Sequence, residues 1–128
     1  MKNILVLGAG QSSAYLISSL LEDAVAEDLF VTVGDRDLET ARACVGEHPR
    51  GAAMQLDIND AGLRSAEIER STIVVNMLPA AFHNLVSWDC VAHGRDMLSV
   101  SYRDQTTRDL DLDAKRRGIL LLSELGLD

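Results

Sequence analysis

The sequence predicts an α/β protein: a doubly wound parallel sheet of six strands, order 3-2-1-4-5-6, with helices on both faces in three layers. Three observations predict it. Short apolar runs alternate with amphipathic stretches along all 128 residues. A glycine-rich turn, Gly8-Ala9-Gly10, lies between the first run and the first amphipathic stretch. An acid, Asp35, ends the second run.

The apolar runs are Ile4–Leu7, Leu29–Val33, Ala52–Leu56, Thr72–Val75, Met97–Val100 and Ile119–Leu122. Most are continuously apolar, as strands buried on both faces are, rather than alternating. Between them, Leu16, Ile17, Leu20, Leu21 and Ala24 share one helical face. Asp37 is placed to cap a helix from Leu38 to about Gly46, and Asp60 one that carries Leu63 and Ile68. A fourth helix is expected over Phe82–Val91. A fifth opens at Thr106 or Thr107, with acids early, Lys115, Arg116 and Arg117 late and Gly118 at its end, as the helix dipole favours. Each βαβ unit crosses over right-handed.

One compact domain is expected at this length. A net charge of −8 with scattered basic residues argues against a nucleic-acid partner. The apolar start is too short for a signal-peptide core or a membrane span, so a cytoplasmic protein without a membrane partner is expected. Cys44 and Cys90 fall in predicted helices without metal-ligand spacing and read as buried free thiols. "DLDLD" from Asp109 lacks the Gly and Glu that a calcium loop needs at its sixth and twelfth positions, so no metal site is expected.

In Gly8-Ala9-Gly10-Gln11-Ser12-Ser13, Gly8 permits a tight turn and Gly10 lets the backbone approach a pyrophosphate. The helix start at Gln11 and Ser12 offers free N–H groups. Ser13 stands where the fingerprint of the Rossmann fold has its third glycine. Alone, the turn serves equally well as a plain connection. Asp35, 22 positions after Ser13, supplies the acid that accepts from the adenosine ribose hydroxyls. Asp57 ends the third strand and fits the adenine edge or a surface turn equally. Ligands of such sheets bind where the strand order reverses, which here is above the first and fourth strands.

Later stretches carry a more specific resemblance: Asn76-Met77-Leu78-Pro79 followed by His83, then Ser99-Val100-Ser101-Tyr102, then Ser123-Glu124-Leu125-Gly126-Leu127-Asp128. With "GDRDLETA" and "LDIND", their order resembles the N-terminal NAD(P)-binding domain of the saccharopine dehydrogenase (saccharopine reductase) family, over essentially the whole chain. The resemblance implies an oxidoreductase that transfers hydride at the C–N bond of an amino-acid-derived imine. It implies that Gly8, Gly10, Gln11 and Ser12 face the pyrophosphate, Asp35 and Arg36 the adenosine ribose, and Met77, Leu78 and Pro79 the nicotinamide ribose. It sets Ser101 at the substrate side of the cofactor, with Tyr102 and Asp128 as catalytic candidates. His83 and His93 lie in or beside a helix and are minor candidates. The chain stops where the family's substrate domain begins, so a truncated piece, inactive alone, is expected. Asp35 ranks NAD above NADP, because its carboxylate opposes a 2′-phosphate, while Arg36 pulls the other way. A homodimer stays open. The rival from another class is a nucleotide-sensing domain of the kind that gates potassium transport.

Overall fold

The computed structural model describes residues 1–99 and 121–122. Its elements run β1 (Lys2–Leu7), α1 (Gln11–Asp23), β2 (Leu29–Asp35), α2 (Leu38–Val45), β3 (Gly51–Gln55), α3 (Ala61–Glu69), β4 (Ile73–Asn76), a 3-10 turn over Ala80–Phe82, α4 (His83–His93) and β5 (Asp96–Ser99). These five strands form a parallel sheet of order 3-2-1-4-5. Leu121–Leu122 add a two-residue rung that pairs parallel with β5. The expected fifth helix lies outside the described residues.

The apolar runs become strands because both faces of the central ones are covered. Ile4 and Val6 of β1, Val31 and Val33 of β2 and Val75 of β4 pack with Ile17 and Leu21 of α1 and Ala41 and Val45 of α2. On the other face, Leu5, Leu7 and Val74 pack with Ile68 of α3 and Val86 and Cys90 of α4. A strand sandwiched in this way has no solvated side on which to alternate.

Both expected caps form. Asp37 accepts from the Glu39 N–H at 3.0 Å and Asp60 from the Leu63 N–H at 3.2 Å. Gly46 follows α2 at φ +62°, where a side chain is strained. The fourth helix starts a residue late: Phe82 ends the 3-10 turn and α4 runs on to His93. The Phe82 N–H closes the 3-10 turn back onto the Pro79 carbonyl at 3.0 Å.

Candidate dinucleotide site

At the carboxyl end of β1 the chain must turn sharply against the neighbouring strand end. Gly8 adopts φ +98°, and a Cβ there would sit 3.2 Å from the Met77 carbonyl oxygen, so only glycine fits. Its N–H donates to the Gly34 carbonyl at 2.9 Å. The Ala9 N–H donates to Asp35 Oδ1 at 3.0 Å. Gly10 caps α1 in extended conformation, and a Cβ built on it would meet nothing within 4 Å. That open space faces the first turn of a 13-residue helix that carries no acid there. Free N–H groups and the positive end of the dipole make this a place for an anion. Ser13 is 3% exposed, small enough for the close approach of helix and strand that its position requires.

Beside the turn, a cleft of about 210 Å³ opens along the strand ends. One wall holds Asp35, Arg36, Asp57 and Ile58; the other holds Leu78, Pro79 and Phe82. Apolar walls with a few polar groups at the rim suit a flat, partly polar ligand. The Asp35 carboxylate is already engaged on both oxygens, because Oδ2 accepts the Asp37 N–H at 2.8 Å. Arg36 is exposed, makes no ion pair among the described residues, and its carbonyl is held by Gln55 Nε2 at 3.1 Å. Asp57 turns one oxygen to the Asn59 N–H at 2.9 Å.

The expected residues Gly8, Gly10, Asp35, Arg36, Asp57, Leu78 and Pro79 therefore meet at one edge of the sheet, and Gln11 and Ser12 open α1. Met77 is half-buried and packs against the α1–α2 core rather than lining the cleft. Ser101, Tyr102 and Asp128 lie outside the described residues. His93 is taken up by Ser65, 2.7 Å away across α3 and α4. Burial pushes the Cys44 and Cys90 thiols up, with the Asp35 carboxylate adding to it at Cys44 and Asp89 and Asp96 at Cys90, which favours the neutral thiol at both. No metal-ligating cluster is found among the described residues, and none of their helices is long and apolar enough to cross a membrane.

Two features escaped the sequence reading. Ile58 and Phe82 line the cleft, as a position directly after a strand end (Leu56-Asp57-Ile58) suggests for the first. Asn76, fully buried at the end of β4, holds the Leu78 N–H on Oδ1 at 3.1 Å, while its Nδ2 has no hydrogen-bond partner among the described residues.

A bare helix N-terminus beside a strand-end cleft, at the reversal of strand order, defines a dinucleotide-binding domain of the Rossmann class. Residues 4–122 match the family model described as saccharopine dehydrogenase NADP binding domain. The chain belongs to that family. It is 28% identical over 127 residues to saccharopine dehydrogenase [NADP(+), L-glutamate-forming] of Pyricularia oryzae, covering 99% of this chain and 27% of that protein. The enzyme of the same name from Saccharomyces cerevisiae is 30% identical over 128 residues, covering 99% and 28%. The apo structure of the Saccharomyces cerevisiae saccharopine dehydrogenase (L-Glu forming) superposes with a TM-score of 0.89 at 28% identity, over 100% of this chain and 28% of that one. The chain thus spans about a quarter of the length of these relatives. The comparisons lend no support to a potassium-transport module. They favour NADP, which corrects the ranking of NAD first. Asp35 accepts one backbone N–H on each carboxylate oxygen, and the exposed Arg36 makes no ion pair among the described residues.

Proposed function

We propose that the chain binds NADP in the crevice above β1 and β4 and serves as the cofactor domain of an oxidoreductase acting on an amino-acid-derived imine. The observation that carries this is the open space at Gly10 in front of the α1 N-terminus. The first turn of α1, with Gln11 and Ser12, holds the pyrophosphate. Asp57 and Ile58 flank the adenine, Arg36 pairs with the 2′-phosphate, and Leu78 and Pro79 border the nicotinamide ribose. When bound, the nicotinamide supplies or accepts a hydride. The protein's part is to fix the dinucleotide in one pose and to keep water out of the apolar cleft. Ser101, Tyr102 and Asp128 are assigned to the substrate side, with Tyr102 and Asp128 placed to hold an amine or relay a proton.

In this reading residues 1–128 are one cofactor domain, and the substrate is gripped by chain beyond it, as the greater length of the relatives supports. A sixth strand beside β5, which the Leu121–Leu122 rung supports, completes the order 3-2-1-4-5-6. Two free thiols suit a reducing compartment, and the cytoplasm is the one proposed. The 128-residue chain binds NADP but does not turn over saccharopine.

Calorimetry with NADP and NAD tests the reading. Wild type binds NADP more tightly. Arg36→Ala weakens NADP about 30-fold, the cost of roughly 2 kcal/mol for a charge-assisted pair, and leaves NAD within a few-fold. Equal affinities in wild type, unchanged by Arg36→Ala, would show that Arg36 does not read the phosphate.

A further inference from the structure

A turn with two glycines is costly to keep in one shape, because glycine loses more backbone freedom on ordering than any other residue. Here the peptide groups between Gly8 and Gly10 are held from outside. Ala9 is 3% exposed, and its N–H reaches Asp35 Oδ1 across 26 positions of chain. The other carboxylate oxygen is anchored on the Asp37 N–H, which fixes the plane of the group. One residue earlier, Gly34 accepts the Gly8 N–H. The Ala9 carbonyl accepts from the Cys44 thiol at 3.6 Å. The last two residues of β2 thus grip two successive amides of the turn, and α2 holds the carbonyl that follows them.

We propose that Asp35 is a positioning residue that straps the phosphate turn. Its contribution to dinucleotide binding is delivered through the Ala9 amide, not through the ribose hydroxyls. This rests on the reading that the turn cradles a pyrophosphate. It separates two roles that an acid at the end of a second strand can play. A ribose acceptor works only when the ligand has hydroxyls to offer; a strap works for any ligand whose pyrophosphate needs the turn in place. Arg36 is then left to choose between the two cofactors.

The test uses the 128-residue chain with Asp35→Ala and Asp35→Asn. The ligands are NAD and the NAD analogue that lacks both adenosine ribose hydroxyls. By calorimetry, Asp35→Ala weakens both ligands by the same factor, about tenfold. Asp35→Asn keeps one acceptor oxygen for the Ala9 N–H but sets its NH2 against the Asp37 N–H, so it weakens both ligands by one common factor, smaller than that of Asp35→Ala. Amide hydrogen exchange in the absence of any dinucleotide gives an independent arm. The Ala9 N–H is protected in wild type and in Asp35→Asn, and loses its protection in Asp35→Ala while amides of β1 keep theirs. A loss of affinity confined to NAD, with the analogue unaffected by Asp35→Ala, would overturn the strap. So would equal exchange at Ala9 in all three proteins. If wild type bound neither these ligands nor NADP, the dinucleotide reading would fall, and the exchange arm would still decide the strap.

Discussion

At the turn after β1 the holds are backbone amides and a carboxylate reaching over from the next strand; at the seam between α3 and α4 they run from side chain to side chain. In the seam Arg64 Nε pairs with Asp89, both mostly buried at 10% and 18% side-chain exposure, and Arg64 Nη1 donates to the Ile58 carbonyl at 2.7 Å. Ser65 and His93 add a second tie. The difference follows from what each region must leave empty. The turn has to present bare N–H groups and the space at Gly10, so its bracing comes from residues outside it. The seam fills its interior with a charged pair. The two are joined at Ile58, whose carbonyl Arg64 holds and whose residue lines the cleft.

Breaking the seam should cost stability and spare binding. Arg64→Ala leaves Asp89 without its partner in a mostly buried site and is expected to lose about 3 kcal/mol. The check is urea unfolding, alongside an NADP affinity that changes only a few-fold through the Ile58 contact. Replacing both members with apolar residues, as Arg64→Met with Asp89→Leu, recovers most of that loss. The turn should behave in the opposite way. Gly10→Val introduces a side chain where nothing lies within 4 Å, at φ −71°, so the cost is that of a poorer N-cap, about 1 kcal/mol in urea unfolding. Its NADP affinity falls about 100-fold or more, near 2.7 kcal/mol, because the valine takes the phosphate's place. A Gly10→Val protein that binds as wild type does would end the claim that this space belongs to the ligand. The smallest effect sharpens the contrast. Ser65→Ala removes one half-buried hydrogen bond and costs about 1 kcal/mol in unfolding, with binding unchanged.

Much of this architecture was legible because its causes are local. Continuous apolar runs mark strands buried on both faces, and Asp37 and Asp60 cap the helices they precede. The glycine spacing located the turn, and the strand order located the cleft. What escaped depends on contacts distant in sequence. Asp35 reads as a ribose ligand in the sequence, and its bond to the Ala9 N–H, 26 positions away, is not visible there. Arg64 reads as a solvated helix residue by its charge; its partner lies 25 residues on, in another helix. Asn76 shows the same limit: nothing local tells that a polar residue after Val74-Val75 is wholly enclosed.

The position of β1 has a consequence for how the chain is made. It pairs with β2 along one edge and with β4 along the other. Leu7 leaves the ribosome 66 residues before Ile73 does, by the difference of their numbers. At roughly 5–20 residues per second, that is several seconds of synthesis. Throughout, a strand of sequence Ile4-Leu5-Val6-Leu7 offers one edge of unpaired amides and carbonyls, a template for pairing with another nascent chain. The strand that ends in the cofactor's turn is therefore also the one most dependent on what shields it during translation.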